Sequence, residues 1–159
     1  MIHLLLGILF AILFYIKPFH LFLFFLLCTF ISYFSIRYIK EAYRVFWYFL
    51  GVSIITSLYR YVPIHVITSA MLVSAIGDSF STLFGKRFGK KKFPYSDKTY
   101  IGTISGIIFS LIPLLFIQPL HIAFIGAISG IITETYSPIN DNFSVPIAAF
   151  FAMYIAIKI

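Results

Sequence analysis

The chain has 159 residues, of which 61% are hydrophobic, 20% are aromatic and only 11% are charged, and its mean hydropathy is +1.01. This composition excludes an ordinary water-soluble domain. Twelve Lys and Arg against five Asp and Glu give a net charge of +7, and the single cysteine, Cys28, excludes a disulfide framework within one chain.

Seven apolar runs predict an all-α, polytopic integral membrane protein, because their lengths approach the roughly 20 residues that an upright helix needs to cross a bilayer. Lys17-Pro18 separates the first two runs, which together would be too long for one span. Six spans with one re-entrant run are the alternative. The predicted runs are residues 2–16, 19–36, 45–59, 62–77, 101–117, 119–137 and 144–158.

The whole chain, residues 1–159, is expected to form a single transmembrane domain. Within it, residues 1–74 contribute hydrophobic spans and residues 75–146 carry the polar motifs. Residues 147–159 complete the last span.

The distribution of charge predicts the orientation of the spans. Alternating faces receive nine and three Lys and Arg, so the positive-inside rule places the N-terminus and the long basic loop in the cytoplasm. Four of the five acidic residues fall on the same cytoplasmic face, namely Asp78, Asp97, Glu134 and Asp141. Because carboxylates at or inside membrane spans are costly, they usually serve a function.

Small residues at every fourth position run along three predicted spans, and each stripe leads to a charged residue. Residues four apart share a helix face, and stripes of small residues allow helices to approach closely in lipid. The stripes are Ala70, Ser74 and Asp78; Lys98, Gly102 and Gly106; and Gly126, Gly130 and Glu134. We therefore expect three helices to bring Asp78, Lys98 and Glu134 together near the cytoplasmic surface.

The basic segment between the fourth and fifth runs, "GKRFGKKK", has the composition of a phosphate-binding loop. Gly77, Gly85 and Gly89 permit close backbone approach or unusual dihedral angles, and Lys and Arg neutralise a polyphosphate. Nearby carboxylates suit Mg²⁺. The segment lacks the Walker spacing. Binding to anionic lipid headgroups is the alternative explanation; the patch is too short and too close to the bilayer to favour nucleic acid.

The last polar stretch, "ETYSPINDNFSVP", predicts a turn at Pro138 and at residues 140–142. Pro146 fits an early turn of the final span. Asp141 and Asn142 are therefore expected at the membrane surface.

In their order along residues 75–146, these motifs resemble those of the dolichol kinase, phytol kinase and CTP-dependent diacylglycerol kinase family. The family shows a Gly-Asp and a small residue, spaced glycines and Pro, a Lys-Ser/Thr-x-Glu-Gly-Ser/Thr element, and a later Glu, Asp-Asn and Pro. The matching positions are Gly77-Asp78-Ser79, Gly85, Gly89, Pro94, Lys98-Thr99, Gly102-Thr103, Glu134, Asp141-Asn142 and Pro146. One position departs: the Glu that precedes the family's Gly-Thr pair is Ile101 here.

The resemblance implies transfer of the γ-phosphoryl group of a nucleoside triphosphate, expected to be CTP, to a lipid alcohol such as a polyprenol, dolichol, geranylgeraniol, phytol or diacylglycerol. It implies Asp78, Lys98, Glu134 and Asp141 as catalytic residues, with Asp78 and Glu134 holding Mg²⁺. Asp141 acts as base toward the acceptor hydroxyl or, with Asn142, reads the nucleotide. The implied nucleotide-binding residues are Gly77, Ser79, Gly85, Lys86, Arg87, Gly89, Lys90, Thr99, Gly102, Thr103 and Asn142.

Two other functions stay open at this point. A membrane cytidylyltransferase would use a similar Gly-Asp and Lys-Thr pattern to make a CDP-lipid and release pyrophosphate. A non-catalytic transporter or assembly protein would distribute charges through the bilayer and often shows an inverted repeat. The expected partners are the lipid alcohol, the nucleotide and membrane lipids, and a homo-oligomer remains open.

Overall fold

The computed structural model describes residues 2–137 and 140–159, apart from the side chains of residues 2 and 3. Pro138, where the sequence predicts a turn, lies outside them. The all-α prediction is confirmed over the described residues, which hold helices and one isolated β-bridge. The elements are α1 Ile2–Ile16, α2 Pro18–Ser35, α3 Ala42–Ser57, α4 Ile64–Leu72, a π-helical segment Val73–Gly77, α5 Asp78–Phe88, α6 Tyr100–Leu114, α7 Leu120–Tyr136 and α8 Asp141–Lys158.

Helix α4, the π-helical segment and α5 follow one another without a break and form one helix of 25 residues, Ile64–Phe88. The helix therefore continues beyond Gly77, where the apolar run ends. Lys86 and Arg87, expected in a loop, lie in the last turn of α5. Basic side chains favour the C-terminal turn of a helix, where they oppose its dipole, so a fall in hydropathy does not end the helix.

The last helix also begins earlier than the apolar pattern predicts. Helix α8 starts at Asp141 rather than at residue 144, because the side chain of Asn140 caps it by accepting a hydrogen bond from the backbone of Asn142. Asp141 is therefore in the first turn of a helix and not in a loop.

The core of the fold lies along α4 and the π-helical segment. Every residue from 66 to 77 is buried, against neighbours from α1, α6, α7 and α8. Helices α2 and α3 pack on each other at the side, and α3 also contacts α8. The outward faces of the surrounding helices expose large apolar side chains, for example Phe30 in α2 and Ile104 in α6.

Two helices, Pro18–Ser35 and Ile64–Phe88, are long and apolar enough to cross a membrane. Their settings differ: the first is largely unburied within the protein, and the second runs through the core. Helices α6 and α7 are apolar but shorter, with 15 and 17 residues.

Glycines allow α5, α6 and α7 to approach one another closely, as the sequence predicts. A Cβ atom at Gly102 would lie 2.7 Å from the carbonyl oxygen of Ser81, and one at Gly106 would lie 3.0 Å from that of Gly77. A Cβ atom at Gly130 would lie 2.6 Å from a methyl carbon of Val73. Since no glycine of the described chain has a positive φ, close approach and not an unusual dihedral angle is what these positions require.

Candidate active site

Four charged residues converge where α5, α7, α8 and the segment before α6 meet. The Nζ atom of Lys98 lies 2.5 Å from Oε1 of Glu134 and 2.9 Å from Oδ2 of Asp141. One carboxylate oxygen from each of Asp78, Glu134 and Asp141 lies within 4.8 Å of the others. The predicted meeting of Asp78, Lys98 and Glu134 is therefore confirmed as geometry, and we call these residues with Asp141 the charged cluster.

Glu134 is the most enclosed member of the charged cluster. Its side chain is 1% exposed, and its Oε1 accepts hydrogen bonds from Lys98 and, at 2.9 Å, from the hydroxyl of Ser81. Its Oε2 is buried and has no hydrogen-bond partner among the described residues. Because an unpaired buried carboxylate oxygen is costly, this atom indicates a place for a further donor or a cation.

Lys98 reaches the charged cluster from a hairpin and not from a helix. Helix α6 begins at Tyr100, so Lys98 lies outside it, and the expectation that Lys98 continues the helical stripe of Gly102 and Gly106 is wrong. Burial by itself lowers the pKa of Lys98, but the adjacent carboxylates of Glu134 and Asp141 outweigh burial and hold this pKa above its ordinary value. The side chain of Lys98 is therefore a stable ammonium group.

Residues 89–99 form this hairpin, which we call the basic hairpin. The amide of Phe93 donates to the carbonyl of Lys98 at 3.0 Å, and the amide of Tyr100 donates to that of Lys91 at 3.2 Å. The hydroxyl of Ser96 donates to the carbonyl of Thr135 at 2.7 Å, which fixes the hairpin to the end of α7. The hairpin thus holds Lys98 over Glu134.

A polar cleft of about 620 Å³ opens beside the charged cluster. Residues 95–98 of the basic hairpin, residues 134–137 at the end of α7, and Asn140 and Asp141 line it. The side chains of Lys98 and Asp141 are 27% and 34% exposed, so both are accessible to a molecule in the cleft. The cleft gives a water-borne reactant a route to the buried carboxylate of Glu134 and to the partly exposed one of Asp141.

The glycines and threonines expected to bind nucleotide hold the fold around the cluster. The hydroxyl of Thr99 caps α6 by accepting from the amide of Gly102 at 3.1 Å, and Gly85 and Gly89 pack against Thr99. Thr103 is buried and shares a hydrogen bond of 3.1 Å with the hydroxyl of Thr135. Their role toward a nucleotide stays a prediction.

Two further residues of that set lie at the start of α5. Gly77 packs tightly against Ile131 of α7, since a Cβ atom there would overlap the end of the Ile131 side chain. Ser79 is partly buried, and its hydroxyl donates to the carbonyl of Ala75 at 2.6 Å. Both lie beside Asp78, which follows a π-helical segment of the kind often found at functional sites.

The side chains of the basic segment are exposed and do not line the cleft. These residues are Lys86, Arg87, Lys90, Lys91 and Lys92. Lys92 forms an exposed ion pair of 2.8 Å with Asp97, and this contact holds the pKa of Asp97 below its ordinary value of 3.8. Asn142 lies one residue beyond the cluster, in the first turn of α8.

Sequence reasoning missed three residues that build this site, namely Ser81, Ser96 and Asn140. Ser81 follows Asp78 by three positions and so shares its helix face, which is a signal that the sequence contains. The contact of Ser96 with Thr135 joins residues 39 positions apart, and nothing local to either residue predicts it.

Comparison with protein-family models, with curated proteins and with solved structures found no match for this chain.

Proposed function

We propose that the chain is a multi-pass membrane kinase that transfers the γ-phosphoryl group of a nucleoside triphosphate, with CTP as the favoured donor, to the hydroxyl of a lipid alcohol. The observation that carries the proposal is the charged cluster, where three carboxylates lie together and two of them pair with Lys98. Glu134 keeps one buried oxygen without a hydrogen-bond partner among the described residues, at the edge of a polar cleft.

The membrane setting rests on the apolar outer surface. Side chains such as Phe30, Ile104 and Phe151 are 62%, 55% and 48% exposed, and this would be costly in water. In a bilayer the same faces contact lipid. Each helix then crosses the bilayer, and α4, the π-helical segment and α5 cross it as one continuous helix. The charged cluster then lies near one membrane face, which the positive-inside rule assigns to the cytoplasm.

The residues of the cluster fit a divalent cation. Asp78, Glu134 and Asp141 offer the hard oxygen ligands that Mg²⁺ prefers. The Oε2 atom of Glu134 has no hydrogen-bond partner among the described residues and could bind the cation. When all three carboxylates are ionised, they and the Lys98 ammonium carry a net charge of −2, which one divalent cation neutralises. When bound, Mg²⁺ would neutralise the triphosphate and bring its γ-phosphoryl group to the carboxylates.

Lys98 and Asp141 have different roles in the proposed reaction. Lys98 donates hydrogen bonds to phosphate oxygens, since its ammonium group borders the cleft. The more exposed carboxylate of Asp141 accepts the proton of the acceptor hydroxyl, whose oxygen attacks the γ-phosphorus while the bond to the β-phosphate oxygen breaks. The products are a lipid monophosphate, a nucleoside diphosphate and one proton. Exposed lysines nearby attract the anionic nucleotide.

The location suits such a substrate pair. A long-chain alcohol keeps its tail among lipid chains and its hydroxyl at headgroup depth, whereas the nucleotide arrives from water. The cleft lies between the basic hairpin, which is exposed to water, and the carboxylates of Glu134 and Asp141 at the ends of apolar helices.

The decisive experiment uses the purified full-length protein in detergent with Mg²⁺ and a panel of prenols and diacylglycerol. CTP labelled at the γ-phosphate should transfer its label to one of these lipids. Label from the α-phosphate in the lipid, with release of pyrophosphate, would instead identify the cytidylyltransferase. The Glu134→Gln variant serves as the matched control, since it should transfer no label. Absence of both products with the wild type would leave the non-catalytic alternative.

The membrane arrangement has its own test. In a Cys28→Ser background, single cysteines placed at residues 90 and 97 and at residue 142 should react with an impermeant reagent from the same side of the membrane. Labelling from opposite sides would exclude a shared site.

A further inference from the structure

Tyr95 has a backbone conformation that side chains rarely adopt. Its φ is +59°, and it is the one non-glycine residue of the described chain with a positive φ. It occupies the third position of a turn in which the amide of Ser96 donates to the carbonyl of Phe93 at 3.3 Å and Pro94 is second. Pro at the second position and a positive φ at the third are typical of a type II turn, which favours Gly or Asn where Tyr95 stands.

The neighbours of Tyr95 hold this turn in place from both sides. The ring of Phe93 lies 3.9 Å from that of Tyr100 and 5.9 Å from that of Tyr136, between centroids. Ser96 is tied to Thr135 of α7. A strained residue persists where its surroundings determine the backbone, and such residues concentrate at ligand-binding sites.

The side chain of Tyr95 gains no packing in return. It is fully exposed, yet it lines the same cleft as Lys98, Glu134 and Asp141. Its neighbourhood is aqueous: Asp97 is 99% exposed and pairs with the exposed Lys92. This setting differs from that of an aromatic residue at a membrane interface, which flanks an apolar span.

We propose that Tyr95 is the stacking platform for the base of the nucleotide whose phosphates meet Lys98. The inference rests on the proposed function and names a specificity residue for it. An exposed aromatic ring binds a planar base through stacking, and here the turn already fixes the backbone that carries the ring. Lys98 follows Tyr95 by three positions, so their Cα atoms are at most about 11 Å apart, a distance that one extended nucleoside triphosphate spans.

Equilibrium binding of CTP to the full-length protein in detergent, with Mg²⁺ present, tests the proposal without requiring turnover. Tyr95→Gly should weaken CTP binding on the order of tenfold, and Tyr95→Trp should retain it. Inorganic tripolyphosphate, which has no base, should bind Tyr95→Gly and the wild type equally. The thermal midpoint of Tyr95→Gly should not fall, because glycine adopts a positive φ without strain.

Three results would overturn the proposal. One is unchanged CTP binding in Tyr95→Gly. Another is an equal loss for CTP and tripolyphosphate, which would mean that the turn only positions Lys98. The third is absence of nucleotide binding by the wild type, which would also remove the proposed function. Binding of CTP without phosphoryl transfer would remove the kinase function alone and leave the comparison of variants to decide the role of Tyr95.

Discussion

Helices α1 to α3 pack on one another largely through aromatic rings, whereas glycines bring the backbones of α4 to α8 close together, with a stacked pair of rings, Phe80 and Phe109, between α5 and α6. The ring of Phe25 in α2 lies 5.5 Å from that of Phe10 and 6.1 Å from that of Phe49, and α2 buries only Phe25 and Ser32. In the second region, residues 66 to 77 are all buried, and α6 touches the backbone of α5. In the second region, the closely packed helices bring Asp78, Glu134 and Asp141 together. The described part of α1 to α3 holds no comparable group of carboxylates. The proposed chemistry therefore lies in the second region, which holds the charged cluster.

The largest expected effect contrasts acidic residues of the two regions. Asp78→Asn and Glu134→Gln should each lower kcat by on the order of a hundredfold or more, because the loss of one carboxylate charge removes cation binding in the cluster. Glu41→Gln, in the first region, should leave kcat unchanged, since Glu41 is exposed and, among the described residues, forms its ion pair with Arg44. Mg²⁺-dependent phosphoryl transfer by variants that elute as the wild type measures this, and normal turnover in both cluster variants would refute the assignment.

The next largest effect is expected from substitutions that disturb packing, which should affect kcat in the second region but not in the first. Gly102→Ala places a methyl group 2.7 Å from the Ser81 carbonyl, so it should destabilise the protein by about 1–3 kcal/mol and also lower kcat by moving α5 against α6. Phe25→Leu should lower the thermal midpoint but not kcat, because α2 does not contribute to the cluster. Thermal unfolding and turnover at a permissive temperature provide the two readouts. Equal losses of kcat in both variants would erase the distinction.

A smaller effect is expected from the basic side chains. Lys90→Gln with Lys91→Gln should raise the KM for nucleotide several-fold at low salt and less at high salt, because these exposed lysines attract a polyanion through water. Arg37→Gln with Lys40→Gln removes the same charge from the first region and should leave this KM unaltered. If the KM for nucleotide stays constant in the first variant, the lysines serve as a membrane anchor.

The smallest effect is expected at Asp97. Asp97→Asn should leave kcat within twofold of the wild type, since Asp97 pairs with Lys92 outside the charged cluster. Lys92 lowers the pKa of Asp97, so the pair stabilises the hairpin above pH 3.8, the ordinary value, and the contribution is lost as the pH falls through the lowered pKa. Thermal midpoints of wild type and Asp97→Asn should thus differ least at acidic pH, and a large loss of turnover at neutral pH would place Asp97 in the site.

The course of the chain could be predicted from the sequence where burial alone decides it. Over the described residues, each of the seven predicted apolar runs corresponds to a helical stretch, because an apolar segment removed from water satisfies its backbone hydrogen bonds within a helix. The ends of the helices could not be predicted as well. Lys86 and Arg87 extend α5 and Asn140 caps α8 through local charge and hydrogen bonding, which hydropathy does not measure.

The charged cluster was predictable in part, because the spacing of residues along each helix shows which side chains share a face. Stripes of small residues and the shared face of the acidic residues indicate that Asp78 and Glu134 meet. The position of Lys98 depends on how the basic hairpin docks on α7 through Ser96 and Thr135. This contact joins residues far apart in the chain, so no local pattern contains it.

The shortness of α6 has a consequence for the lipid around the protein. Its 15 residues span about 22 Å, less than the roughly 30 Å of a hydrocarbon layer. In the proposed membrane arrangement, this hydrophobic mismatch is relieved when the bilayer thins beside α6. The helix begins directly after Thr99, so the thinning draws the headgroup plane toward Lys98. A lipid alcohol at this edge meets the aqueous cleft without lifting its chain out of the hydrocarbon.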